Sequence, residues 1–374
     1  MRFVVTSTEL YNRLQSIGRV INSKSALPIL DCFLFELENG VLSITASDNE
    51  TTLETSLQVV EYDTNGQFAI GSKSILDAIK ELPEQPIVFN VNESTMSIAI
   101  EYMNGKYNMV GQQADEYPTA AVLGESPVGF TMPANVLLDG INRTIFATAD
   151  DELRPVMNGI YFDITTESIT LVASDGHKLV RYRLFDVKGE EKAAFILPKK
   201  PANILKGLLA KEADDITIAF DSRNAIFTTP NHRMVCRLIE GRYPNYNSVI
   251  PTNNPFKVSV NRQAMLSALR RVSVCSSASS SLVKLRLQSN EVDISAQDID
   301  FAASAEEKIV CDYNGDAMSI GFKSTFLIDI INNISGEDIN IEVSDPSRAG
   351  VIVPAVQEEN AALLMLLMPM MLND

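Results

Sequence analysis

Hydrophobic and polar positions along this chain follow a pattern that occurs three times. Alternating apolar runs open at Phe3-Val4-Val5, Phe130-Thr131-Met132 and Phe256-Lys257-Val258, and each predicts a strand. Apolar residues at helical spacing follow each run: Leu10, Leu14 and Ile17; Leu137, Ile141 and Ile145; Met265, Leu269 and Val272. Next come alternating runs that end in Ser-Asp or Gln-Asp, at 42–48, 169–175 and 292–298, which read as strands closed by turns. A second helix is predicted around Ile75-Leu76, Ile204-Leu205 and Phe326-Leu327. Later strands recur at 88–91 and 97–100, 216–220, and 339–343. The copies lie roughly 125 residues apart, far longer than a solenoid unit and long enough for each to own a core. Antiparallel sheet with two helices per copy is an α+β architecture of three similar domains. Pro118–Pro127 and Asn247–Pro255 carry the prolines, Gly124 and asparagines of connections, which sets limits of 1–125, 126–252 and 253–374. Ser276–Ser281 reads as a polar turn or loop.

Composition adds compartment and charge to this picture. The chain has 374 residues, 45% of them apolar, enough to bury sizeable cores. Four cysteines (Cys32, Cys236, Cys275 and Cys311) show no C-x-x-C pair, so reduced thiols in a cytosol are expected and a zinc site is not. The N-terminal residues are too polar for a signal peptide, and the longest apolar run, Ala361–Leu372, is broken by Pro369 and too short to span a membrane. A soluble cytoplasmic protein is the expectation. Net charge is −17, which argues against attraction of nucleic acid by the whole surface. The six helical windows are different. They hold 12 of the 31 Lys and Arg residues but only 5 of the 48 Asp and Glu residues. Helix propensity alone explains Lys and Arg on solvated faces, yet it would admit Glu equally. A mildly positive face turned toward phosphate is the other reading.

Chemistry of the catalytic kind has little to stand on. Ser174, Asp175 and His177 resemble a triad only in composition, because they lie within one turn and a triad needs members facing one another from separate elements. Asp48 and Asp298 recur at the same place with no histidine. With two histidines, no P-loop and no carboxylate pair at metal spacing, neither cofactor nor catalysis is expected.

Several segments resemble the bacterial β sliding clamp family, the processivity subunits of DNA polymerase III. They are Ala26-Leu27-Pro28-Ile29-Leu30, Arg154-Pro155-Val156-Met157-Asn158-Gly159, Ala173–Leu179, Glu240–Tyr246 and Met368-Pro369-Met370. The likeness runs in order along the whole chain with the triplication in register. It implies two crescent subunits joined head to tail into a ring, with sheets outside and helices lining a hole for duplex DNA. Contacts with phosphate would then be independent of sequence, and Lys24, Lys73, Arg143, Lys199, Lys200, Lys206, Arg270, Arg271 and Lys323 are the candidates for them. Lys24 reads equally well as a solvated loop lysine. Lys73, Lys199-Lys200 and Lys323 open the second helix of each copy, where a cation opposes the macrodipole, so their recurrence points outside local stability.

The resemblance also implies a hydrophobic cleft that receives short linear motifs from the polymerase III catalytic subunit, the clamp-loader complex, other polymerases and repair proteins. Its matching positions are Met157, Ser174, Gly176, His177, Leu179, Pro244, Val249, Leu366, Met368, Pro369 and Met370. Met and Leu make a deformable apolar wall suited to many related peptides. Met368-Pro369-Met370 also reads as a C-terminal core strand, which the proline disfavours. Two departures stand out. Pro155-Val156 replaces the aromatics suited to stacking on DNA that the family often has after Arg154, so a DNA contact is not expected there; Met371–Asp374 replaces a basic end, so peptide preference is expected to differ. Lys106–Val110 is a candidate edge strand for ring closure, with no partner strand evident in the third copy. A peptide-binding scaffold that never encloses DNA is the alternative function.

Overall fold

The computed structural model describes residues 1–21 and 27–372; Lys24 lies outside them. Six helices occur among the described residues, two per copy: α1 (Ser7–Ile17), α2 (Ser72–Lys80), α3 (Ala134–Thr144), α4 (Lys199–Leu209), α5 (Arg262–Val272) and α6 (Ser324–Asn332). Each contains the apolar positions predicted for it, except that Ile145 falls in a 3-10 turn, Ile145–Ala147, just after α3. Their buried positions are the expected ones, with Leu10, Leu14 and Ile17 inside on α1 and Met265, Leu269 and Val272 on α5. None of the described helices is long and apolar enough to cross a membrane.

All strand pairing is antiparallel, and each copy builds two sheet portions from the same parts. In the first copy, Arg2–Thr6 joins Pro86–Asn92, Ser97–Tyr102 and Gly105–Val110. The short strand Glu61–Tyr62 flanks Arg2–Thr6, and Cys32–Glu38, Val41–Ser47, Thr51–Gln58 and Gly66–Gly71 form the second portion. The middle copy repeats this with Val128–Pro133, Asp215–Phe220, Asn224–Thr228 and His232–Arg237 in one portion, and Gly159–Ile164, Ile169–Ser174, Lys178–Leu184 and Ala193–Pro198 in the other. The third copy repeats it again, with Phe256–Asn261, Asp338–Val343, Gly350–Pro354 and Ala361–Leu367 against Leu282–Leu287, Glu291–Asp298, Ala303–Val310 and Met318–Lys323.

The copies do not keep their sheets to themselves. Thr51–Gln58 pairs with His232–Arg237, so portions of the first and middle copies fuse into one eight-stranded sheet. Lys178–Leu184 pairs with Ala361–Leu367 from end to end, which fuses portions of the middle and third copies into a nine-stranded sheet. The chain accordingly forms two compact bodies that cut the middle copy in half: Met1–Leu138 with Asn203–Leu238, and Asp139–Ala202 with Ile239–Asp374. Unpaired strand edges explain why, since each fusion satisfies a row of N–H and C=O groups that either portion alone would expose. In the first body, Phe3 stacks on Phe89 at 4.8 Å, and Phe35 and Phe68 pack around them.

The three Asp turns are built alike. Asp48 Oδ1 accepts from the N–H groups of Glu50 and Thr51 (3.1 and 2.7 Å), and Asp175 Oδ1 from those of His177 and Lys178 (2.8 and 2.9 Å). Asp298 Oδ1 accepts from those of Asp300 and Phe301 (3.1 and 3.3 Å). A short side chain that bonds its own backbone two and three residues on is a turn former. The middle turn adds a buried cation: Lys178 Nζ lies 2.6 Å from Asp175 Oδ2, with the lysine side chain 6% exposed. Burial raises the Asp175 pKa, but the Lys178 bond and the two backbone donors outweigh it and hold the carboxyl below its ordinary 3.8. Its stabilisation is therefore complete above that value and is lost as pH falls through the depressed one. Asp48→Ala is expected to cost about 1 kcal/mol in urea unfolding at pH 7. Asp175→Ala is expected to cost about 3 kcal/mol, because it strands a buried charge. Equal losses would contradict this account of the middle turn.

Candidate partner cleft and basic helix faces

The middle turn sits at the head of the hairpin formed by Ile169–Ser174 and Lys178–Leu184. Ser174 Oγ donates to the Lys178 carbonyl (2.9 Å) and accepts from the Gly176 N–H (3.1 Å). With Asp175 holding the turn backbone, the three residues that look like a triad are turn architecture. Gly176 has φ +91, and Arg154 Nη1 lies 2.7 Å from where a Cβ would stand. The left-handed backbone is what favours glycine there, since the guanidinium is the movable end of a half-exposed side chain. Arg154 also donates to the Asp175 carbonyl (3.2 Å) and to Asp151 Oδ2 (2.7 Å).

Beyond the turn, strand register places Leu179 opposite Leu366 and Lys178 opposite Leu367. Leu179 and Leu366 are buried in one apolar cluster with Val172, Ile196, Tyr243, Tyr246 and Ala349, and Val156, Tyr161 and Ile250 are packed against it. Tyr161 stacks on Tyr243 at 4.6 Å, and Tyr246 donates to Asp163 Oδ2 at 2.7 Å. Burial, then the Asp163 hydrogen bond, pushes the Tyr246 phenol up to about 12. Pro244 and Val249 are exposed beside these tyrosines in the chain, while Met157 is buried. Val249 belongs to a 3-10 turn, Tyr246–Val249, inside the stretch expected to be a plain connection.

The C-terminal strand stops at Leu367, so Met368-Pro369-Met370 is not part of it. The Met368 N–H donates to the His177 carbonyl (2.8 Å) and the Met370 N–H to the Gly321 carbonyl (2.8 Å), with Met368 43% exposed. An apolar floor with exposed Met and Pro at its margin suits capture of a peptide's apolar side chains. Next to the turn lies an open cavity of 630 Å³ lined by Arg154, Asp175, His177 and Lys178, with Lys199 and the acidic run Asp150–Glu152 on its other side.

The candidate cations divide by environment. Lys73, Arg270 and Arg271 are exposed, and Lys199, Lys200, Lys206 and Lys323 are half-buried. Lys73 is the second residue of α2, Lys199 and Lys200 open α4, and Lys323 precedes α6. Lys199 Nζ is 2.7 Å from Asp150 Oδ2, and Arg271 forms a two-pronged pair with Glu307. Arg270 donates to Asn332 Oδ1 (3.1 Å). Lys323 and Lys178 lie over the Phe326 ring at 4.7 and 4.1 Å. Arg143 differs from the rest: its side chain is 12% exposed and ion-paired to both Asp139 and Glu358 at 2.6 Å. Lys178 was not legible as a site residue, although a lysine three residues after a turn Asp is the available signal. Among the described residues, no group of three or more His, Cys, Asp or Glu is placed to hold a metal.

The N-terminal, central and C-terminal domains of the DNA polymerase III beta subunit match residues 1–121, 131–245 and 247–370. The Beta sliding clamp of Haemophilus influenzae is 27% identical over 372 residues, covering all of both chains. The crystal structure of the Pseudomonas aeruginosa DNA polymerase sliding clamp superposes with a TM-score of 0.94 at 24% identity, covering all of both chains. That of the Bartonella birtlesii sliding clamp bound to griselimycin gives 0.92 at 27% identity, again over all of both chains.

Proposed function

The chain belongs to the DNA polymerase III beta-subunit family, and from that premise we propose that it is a sliding clamp: two copies closed head to tail around duplex DNA, holding the polymerase to its template. The observation that carries the ring is the pairing rule of the sheets. The edge strand Thr51–Gln58 of the first copy takes His232–Arg237 of the middle one, and the edge strand Lys178–Leu184 of the middle copy takes Ala361–Leu367 of the third. One strand of each kind is left over at a sheet edge: Ala303–Val310 and Gly105–Val110. Continuing the rule pairs Ala303–Val310 of one subunit with Gly105–Val110 of another, and two such contacts close a ring. Exposed apolar residues on or beside these edges support the reading, with Val310 and Phe301 at 84% and 83% and Val110 and Met103 at 78% and 79%. The three domains of the ring subunit take the limits 1–125, 126–252 and 253–374.

In this reading Lys73, Lys199, Lys200, Lys206, Arg270, Arg271 and Lys323 face the duplex, and Lys24 joins them from outside the described residues. Non-specific affinity of roughly 10⁻⁴ to 10⁻⁶ M at physiological salt would not retain a polymerase. Enclosure does, and weak contacts then leave sliding unhindered. The cleft around Leu179, Leu366 and Met368 takes short motifs of the polymerase III catalytic subunit, the clamp loader, other polymerases and repair proteins. The subunit works in the cytoplasm, contributes no catalysis and needs no cofactor. Its chemistry is retention.

Replacing Val310 and Phe301 with Asp is expected to give monomers in native mass spectrometry with an unchanged circular dichroism spectrum; a surviving dimer would refute the assigned edge. Replacing Lys73, Lys199, Lys200 and Lys323 with Gln is expected to lower the log–log salt slope of DNA binding by roughly three. An unaltered slope would show that these side chains do not face phosphate.

A further inference from the structure

Arg143, in the last turn of α3, is held on all sides. Nε donates to Asp139 Oδ2 (2.6 Å), Nη2 to Glu358 Oε1 (2.6 Å) and Nη1 to Ser335 Oγ (3.3 Å). The guanidinium also lies 5.0 Å from the centre of the Tyr182 ring. Tyr182 closes the network by donating to Asp139 Oδ2 (2.8 Å), with Glu358 Oε2 at 3.4 Å. One cation therefore faces two carboxylates. A DNA phosphate approaching it would meet a site already carrying net negative charge, which is the wrong environment for a duplex contact.

The location of the network suggests its use. Glu358 and Ser335 belong to the third copy, whereas Asp139, Arg143 and Tyr182 belong to the middle one. Glu358 stands just before the strand Ala361–Leu367, and Tyr182 lies on the strand with which it pairs, opposite Leu363. That incoming strand reads Ala-Ala-Leu-Leu-Met-Leu-Leu, seven apolar residues with no polar side chain to distinguish one register from another. Alternating burial excludes a slip of one residue along most of this strand, but a slip of two keeps the same faces and would move its side chains by about 7 Å. A polar network anchored at one end can fix what the apolar ladder leaves ambiguous. At the opposite end of the same pairing lie Leu179 opposite Leu366, and Met368 bonded to His177.

We propose that Arg143 is a positioning residue of the partner cleft: with Asp139, Tyr182 and Glu358 it sets the register of Ala361–Leu367 on Lys178–Leu184 and so places Leu366 and Met368. It makes no contact with DNA. This rests on reading the cleft as a peptide site, and the test separates the two ideas. Full-length Arg143→Met and Glu358→Gln proteins are titrated with griselimycin, the compound held by the related Bartonella clamp, with Met368→Ala as the control for the cleft. Hydrogen exchange at Leu363–Leu367 and the salt slope of DNA binding are read in parallel. Both network variants are expected to weaken griselimycin binding by about fivefold, the order of remote coupling, and to speed exchange along that strand with the salt slope unchanged. If Arg143→Met does not fold, Glu358→Gln carries the test, since it keeps shape and hydrogen bonding while removing charge. Normal affinity and exchange in the network variants, with loss in Met368→Ala, would overturn the positioning role and leave the cleft standing. No effect of Met368→Ala would remove the cleft reading and this inference with it. A salt slope lowered by Arg143→Met but not by Glu358→Gln would make Arg143 a phosphate contact instead.

Discussion

A strand at the edge of a sheet presents a row of N–H and C=O groups that must find partners or water. In this chain that demand is met by the neighbouring copy, twice, through Met234 opposite Leu53 and Tyr182 opposite Leu363. The consequence is a fold whose compact bodies straddle the repeat boundaries, with the middle copy shared between them. It also leaves Gly105–Val110 and Ala303–Val310 unpaired on one side, each flanked by exposed apolar side chains. In the proposed ring, two copies of the chain meet the remaining demand by repeating, between molecules, the pairing already made within one.

The proposed enclosure gives the charge distribution a physical reading. A protein of net charge −17 whose acidic groups gripped its own cations would have little left for phosphate, and Arg143 shows such a cation fully engaged. The cations at the starts of α2 and α4, and just before α6, are placed against the local macrodipole. A role facing an anion outside the chain gives that recurring placement a physical cause. Weak contacts of this kind serve a ring better than strong ones, because each phosphate gripped firmly would have to be released at every step of sliding.

Helix positions were legible because apolar spacing at 3.6 residues is a local signal, and Leu10, Leu14 and Ile17 or Met265, Leu269 and Val272 suffice to place one face. The Asp turns were legible for the same reason, since Asp48, Asp175 and Asp298 bond backbone only two and three residues away. Strand neighbours were not. Alternation says which face is buried but nothing about which distant strand lies alongside, so neither the fused sheets nor the second free edge had a local mark. The network around Arg143 had no local mark either, because its partner Glu358 is 215 residues away. Leu179, Gly176 and Met368 were named as cleft candidates through family likeness alone, whereas the buried Lys178–Asp175 pair needed the turn geometry to be seen.

Enclosure makes a claim that binding strength alone does not. Once placed on a nicked circular duplex, the protein is predicted to remain through extensive dilution at elevated salt and to leave within seconds to minutes when a restriction cut creates an end. Loss from the intact circle and the cut duplex at the same rate would contradict retention by a closed ring.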